Sequence, residues 1–457
     1  MSFQPARPRR TLPVFVFLLV IVIGGLAAAA YFLRPRFEAQ PPQISITPDA
    51  NALGVAAPLE ILVTDRGTGL KSVTATLSAG GTEHALASEQ FGRAVPEKKV
   101  SIALEKIAGL KEGPAVLRVT ARDASLWKWF AGNETVVVKE FTIDVTPPQL
   151  ELIADDRYVN FGGSGAIVYK ASPDTATSGV MVGEHFFPGF PGQAKGGPDH
   201  FFALFAHPYN AAPETRAVVV ATDKAGNTRQ MPLAYQLQNV RYKKSDIAIS
   251  DSFLQNKVAP LLTDVAARQA GPKEVFVAVN RRLRKENEDR IAAITSKSTP
   301  SILWKGAFSQ LSNSKVEANF ADQRTYLYNK EPIDTAYHVG YDLSVTKRYP
   351  VEAANSGAVA FTGDLGIYGN TVILDHGLGL FTLYSHLSSI DVKVGDAIGA
   401  RQVIGKTGET GLAAGDHLHY GVYLHGVAVL PLEWWDAKWI NDNIQPKLTQ
   451  SAAALIR

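Results

Sequence analysis

The sequence predicts a mainly β protein hung from one transmembrane helix, with a short helical stretch before its last domain. Three observations predict it. An uncharged apolar run near the N-terminus is long enough to cross a bilayer. The next two hundred residues alternate apolar and polar side chains between Gly, Pro and Asn punctuation. Six of the ten histidines then fall between positions 338 and 425, where uniform scatter would place about two, in segments that read as short strands.

With 457 residues, 46% of them hydrophobic and 19% charged, the chain is a folded protein of roughly two to four domains. It has no cysteine, which excludes disulfides and thiolate metal sites, so any metal must be held by histidine and carboxylate. The net charge is +3, but Arg7, Arg9, Arg10, Arg34 and Arg36 fall in the first 36 residues with no acid, and without those five the rest stands at −2. That excludes a nucleic-acid binder relying on a broad basic surface.

From Pro13 to Leu33 there is no charge, enough for a helix to cross about 30 Å of hydrocarbon. We read residues 1–10 as a cytoplasmic tail and 11–33 as the transmembrane helix. The preceding arginines keep the N-terminus inside and everything after Arg36 outside the inner membrane, in the periplasm or cell-wall space. A cleaved signal peptide is the alternative, since GGLAAAAY offers small residues, but the apolar run exceeds a usual signal core.

Two modules follow, at 41–146 and 147–240. PPQISITPD at 41 and PPQLELIAD at 147 echo one another, as do VTARDASLW and VVATDKAGN, where Asp123 and Asp223 read as turn starts. Runs such as LEILVTD, SVTATLSA and AVLRVTA in the first module, and AIVYKAS, FFALFAH and RAVVVAT in the second, have strand periodicity. Each module reads as a β-sandwich of immunoglobulin-like type, and the pair resembles the tandem Ig-like modules of bacterial envelope proteins. They suit spacers or docking surfaces for an envelope protein partner. His84, His185, His200 and His207 are scattered here without ligand spacing. Residues 241–318 read as a helical connector with two helices, another candidate partner surface, and NRRLRKENEDR as its solvated face.

The last domain, 319–446, carries the chemistry. In HVGYD, His338 and Asp342 share a face if the segment is a strand, and Gly340 leaves space between them. In GDHLHYGV, His417 and His419 likewise point to one side. A catalytic zinc takes three protein ligands from His and Asp or Glu, and His338, Asp342 and one histidine of the final pair supply that set. Remaining histidines can then handle a proton or an oxyanion. The helical H-E-x-x-H pattern is absent, so no glutamate base of that kind is present.

HVGYD, LYSHL and TGETGLAAGDHLHYGV together resemble the signature segments of the lysostaphin-type (LytM-type) zinc metallo-endopeptidases, over about residues 319–432. The resemblance implies a β-rich, duplicated-hybrid-motif-like domain that hydrolyses peptide bonds in peptidoglycan stems or cross-links. It implies one Zn2+ held by His338, Asp342 and His419, with His386 and His417 as catalytic histidines. The alternative is a catalytically silent scaffold that activates or recruits a peptidoglycan amidase, but the motif here lacks no member. His376 reads as a structural turn residue and His425 as a hairpin residue. Gly408, Gly411 and Gly415 suggest a loop close to an extended substrate. Thr410 and Tyr384 are candidates for the groove or for structure, and Trp434 and Trp435 read as a core-capping pair.

Overall fold

The computed structural model describes residues 12–54, 58–268 and 270–450; the expected cytoplasmic tail lies outside the described residues. The chain divides into two compact units, Met1–Pro147 with Lys224–Asn227, and Pro148–Asp223 with Thr228–Arg457. The protein is mainly β.

The first unit opens with the helix Leu12–Leu33. Pro13 sits in its first turn, where a missing N–H costs nothing, and the helix gives way to a 3-10 turn, Arg34–Arg36, around Pro35. Its side chains from Phe15 to Leu33 are exposed, and it is long and apolar enough to cross a membrane. Beyond it, a three-stranded sheet (Gln43–Thr47, Leu59–Thr64, Glu97–Ile102) and a five-stranded sheet share one core. In the second sheet Ala52–Leu53, Glu134–Ile143, Gly113–Asp123, Leu70–Ala79 and Thr82–Val95 lie side by side in that order. Alternation decides which side chains enter: Leu59, Ile61 and Val63 from one sheet meet Val73, Leu77, Leu117 and Val119 from the other.

In the second unit, two four-stranded sheets precede the C-terminal domain, and their core is continuous with it. The strand His200–Ala206 is buried almost throughout because it packs against Leu418–Leu424 and Val427–Val429 as well as its own sheet. Polar groups also cross: Glu433 accepts from Asn160 Nδ2 and from the Ser164 N–H, both at 2.7 Å, and Lys447 pairs with the buried Asp156.

The expected first connector helix is helical over Asp251–Leu261 and then breaks; Asp264 restarts a separate turn, Val265–Arg268, by accepting from the Ala266 N–H at 2.9 Å. The second runs from Pro272 to Thr295 through a π turn at Ala278–Leu283. Its expected solvated face is partly docked. Asn280 is buried and donates to Asp334 Oδ2 at 2.9 Å, and Arg281 pairs with Asp334 Oδ1 at 2.9 Å. Asp334 lies on the strand Glu331–His338, so the connector braces the strand that ends on His338.

That strand belongs to a small sheet with Lys244–Ile249 and Asp322–Tyr328. The main sheet of the domain runs Lys315–Ala318, Tyr341–Ser344, Leu418–Leu424, Leu380–Ser385, Asn370–Gly377, Gly357–Asp364, Ala397–Ile398, with Val427–Val429 beside Leu418–Leu424. Asp342 pairs with His419, and His419 with Ser385, so three neighbouring strands bring Asp342, His419 and the approach to His386 together.

Candidate metal centre and catalytic histidines

His338 and Asp342 do not share one strand, as the spacing suggested. His338 ends Glu331–His338 in the small sheet, and Asp342 belongs to Tyr341–Ser344 in the main sheet, so Val339–Gly340 carries the chain from one sheet to the other. Gly340 is nonetheless needed: a Cβ there would lie 2.5 Å from the Tyr420 carbonyl and 2.7 Å from the His419 ring. It makes room for the His419 imidazole at the strand crossing. The final pair sits as expected on one side, His419 within Leu418–Leu424 and His417 just before it, bridged to Gly408.

Three polar atoms converge. His338 Nε2 lies 2.9 Å from Asp342 Oδ1 and 3.0 Å from His419 Nδ1, which is itself 3.0 Å from Asp342 Oδ1. His338 Nδ1 faces the Asn319 carbonyl at 2.9 Å, which fixes the N–H there and leaves Nε2 a bare lone pair. Carboxylate and lone pair therefore crowd one point with at most one proton, that of His419, to share. If His419 gives that proton to the cluster, its Nε2, which is buried without a partner, carries none. Such a donor set fits a divalent cation better than it fits itself. Burial alone would raise Asp342, but His338, His417 and His419 hold its carboxyl well below the usual range, so it stays ionised. Arg324 Nη2 donates to Asp342 Oδ2 at 3.2 Å and orients it from the far side.

The other two histidines are pinned alike. His417 Nδ1 faces the Gly415 carbonyl and His386 Nδ1 the Thr410 carbonyl, each at 2.8 Å, so both present a bare Nε2. Their rings stand 4.8 Å apart, and His417 Nε2 lies 3.5 Å from Asp342 Oδ1. Burial, reinforced by His417 and His419, pulls His386 down to about 3, whereas at His417 the pull of burial is outweighed by Asp342, whose carboxylate raises it. One histidine is thus held neutral and the other is ready to take a proton. His386 has a left-handed φ of 62°, and its N–H donates to the Tyr368 carbonyl at 2.9 Å. That conformation directs the ring out of the strand Leu380–Ser385 toward the centre.

All five residues line a cavity of about 400 Å³ whose other walls include Ile249, Phe253 and Phe276, together with Arg324 and Tyr326. Sequence reasoning missed these walls and Arg324, because no motif marks residues that reach the site from a connector or a neighbouring strand. The remaining candidates are structural. Tyr384 is buried, accepting from the Ala354 N–H at 2.7 Å, and Thr410 Oγ1 accepts from the Asn370 N–H at 3.0 Å. Gly408 and Gly411 are demanded by their own chain, since a Cβ would meet Ser388 N at 2.6 Å and Gly369 N at 2.4 Å; only Gly415 faces open space. His376 is buried between the Ser356 carbonyl and Thr382 Oγ1, and His425, with φ 44°, occupies the turn between its two strands. Trp434 is fully buried against Trp304 and Phe308, with Trp435 stacked on Tyr420.

Residues 336–431, which hold all of these histidines, match the model of peptidase family M23. The chain is 40% identical over 95 residues to the DD-carboxypeptidase/endopeptidase Mpg of Neisseria meningitidis serogroup B, covering 21% of this chain and 22% of that one. It is 35% identical over 112 residues to the peptidoglycan DD-endopeptidase ShyA of Vibrio cholerae, covering 24% and 25%. Among solved structures, the catalytic domain of lysostaphin from Staphylococcus simulans is 28% identical over 29% of this chain and 98% of its own, with a TM-score of 0.24. The chain spans about a quarter or less of the length of these curated relatives. Its C-terminal part is a peptidase family M23 domain.

Proposed function

We propose that this chain is a membrane-anchored zinc endopeptidase that hydrolyses peptide bonds in peptidoglycan stems or cross-links outside the inner membrane. The observation that carries the reading is the convergence of His338 Nε2, Asp342 Oδ1 and His419 Nδ1 beside two histidines with bare Nε2 atoms. The likeness to relatives named for peptidoglycan DD-endopeptidase activity supports the substrate class, and the apolar helix supports the anchor.

His338, Asp342 and His419 would hold the zinc, which when bound polarises the scissile carbonyl and acidifies water. His417 Nε2 takes the proton of the attacking water, because its Nδ1–H is held by the Gly415 carbonyl and leaves Nε2 free to accept. The same N–H then serves the oxyanion and delivers its proton to the departing amine. His386 stays neutral and accepts a hydrogen bond at Nε2, which orients the water for attack. Arg324 keeps the Asp342 carboxylate turned toward the imidazoles.

The test is digestion of purified sacculi with the full chain, zinc supplied, followed by mass spectrometry of released fragments. The full chain is needed because the second sandwich shares the core of the peptidase domain. New peptide ends with wild type and none with His417→Ala are expected. Intact sacculi with zinc-loaded wild type would refute the reading and favour the silent scaffold.

A further inference from the structure

After the strand Gly113–Asp123 the first unit turns through Trp127–Phe130, and among the described residues of that unit none covers the turn. Trp129 is 94% exposed, Phe130 65% and Trp127 43%. Lys128, Trp129 and Phe130 take successive positive φ values of 51°, 58° and 70°. Bulky residues rarely adopt that conformation, and here it displays aromatic side chains instead of burying them. Exposed tryptophan in a constrained turn is the mark of a contact made with something else.

The base of the turn is tied to the end of the apolar helix. The Leu126 N–H donates to the Arg36 carbonyl at 2.7 Å, and Ser125 Oγ and Asn133 Nδ2 donate to the Glu38 carbonyl at 2.7 and 2.8 Å. Asp123 locks the far side by accepting from the Ser125 and Asn133 N–H groups at 3.0 and 2.7 Å. The helix ends at Leu33, and the Arg34–Arg36 turn advances only about 6 Å at a 3-10 rise. The aromatic turn is therefore held where the helix leaves the hydrocarbon. Tryptophan concentrates at that depth, and exposed cations such as Arg34, Arg36 and Lys128 meet anionic headgroups there.

We propose that the Trp127–Phe130 turn inserts its aromatic side chains into the headgroup layer of the membrane that holds the Leu12–Leu33 helix, pinning the first unit to the bilayer surface. The proposal rests on the anchored reading given above. It assigns a membrane surface, rather than another protein, as the occupant because the turn is hydrogen-bonded to the exit of the apolar helix.

The experiment reconstitutes the full chain in vesicles of equal parts phosphatidylcholine and phosphatidylglycerol, with phosphatidylcholine brominated near the headgroup. Tryptophan quenching is compared between wild type and Trp127→Phe/Trp129→Phe, an exchange of exposed side chains that keeps their aromatic bulk. The expected result is bromolipid quenching in wild type that is lost in the variant. Retention after an alkaline carbonate wash reports the anchor separately. A retained chain whose Trp127 and Trp129 are quenched by aqueous iodide and not by bromolipid overturns this proposal alone. So does shielding from both quenchers, as contact with a second copy or another protein would give. A chain released by the wash overturns this proposal and the anchored reading together.

Discussion

At the scale of single residues, the centre separates side chains that would hold a cation from side chains that would move a proton. His338, Asp342 and His419 lie within 3.0 Å of one another, whereas His386 and His417 meet them only across ring contacts and the 3.5 Å approach to Asp342. Substitution should divide the five accordingly. His338→Ala and Asp342→Asn are expected to abolish stoichiometric zinc, read by elemental analysis of the purified chain. His386→Ala and His417→Ala are expected to keep the metal and lower turnover by about 10²–10⁴-fold. Metal loss from His417→Ala would show that His417 is a ligand instead. Arg324 acts one step away, through Asp342 Oδ2. Arg324→Ala should weaken zinc binding about 10- to 100-fold while the fold persists, measured by competition with a chelating dye. The histidines and Asp342 were legible because few residue types can hold a cation and because HVGYD, LYSHL and GDHLHYGV resemble the signature segments of a known family. Arg324 was not: its partner lies 18 positions away on another sheet, and an arginine in a strand has no signature of its own.

At the scale of elements, the site depends on a crossing between sheets at Val339–Gly340. The sequence identifies Gly340 as a position that must stay free of a side chain, but it assigns the wrong neighbour. Period-two alternation assumed a continuous strand, whereas the chain changes sheets there and the space is filled by the His419 ring and the Tyr420 carbonyl. Gly340→Ala should therefore strike both stability and metal. The backbone carbonyl 2.5 Å from the added methyl cannot rotate away, so roughly 1–3 kcal/mol is expected from overpacking. A displaced His419 should lower zinc affinity at least tenfold, read by denaturant titration with and without zinc. Strand periodicity was legible along the first module because its strands alternate between core and solvent, and less so in the second, where Ser164–Ala171 and His200–Ala206 are buried almost throughout. The connector was less so: its charged run reads as solvated, yet Asn280 and Arg281 are committed to Asp334 across 54 and 53 positions, a pairing that local pattern cannot reveal.

At the scale of the whole molecule, the second sandwich and the peptidase domain form one unit, and their shared boundary contains ionisable groups that should make its stability depend on pH. Glu433 is the clearest. Burial, opposed by the donors Asn160 Nδ2 and Ser164 N, pushes its carboxyl up to about 7, with the neighbouring Asp156 adding to the rise. An ordinary glutamate titrates near 4.3. Between those values the folded chain holds a proton that the unfolded chain has released, so Glu433's contribution is complete below about pH 4, declines as pH rises toward 7, and is level above. A shift of that size corresponds to roughly 4 kcal/mol as an upper bound. The buried histidines act in the opposite sense. His376 and His425 are pulled to about 4 by burial, so their contribution is lost as pH falls below 6.5. Wild type alone would show a flattened sum of the two, and the difference between wild type and Glu433→Gln isolates the carboxyl. Glutamine can keep the Ser164 N–H bond, and Asn160 can turn its amide to accept from the new NH2 group. Denaturant unfolding of both chains between pH 4.5 and 7.5 should show wild type losing a few kcal/mol relative to the variant as pH rises. A constant difference across that range would mean that Glu433 is ionised throughout and that its two donors, rather than burial, set its charge.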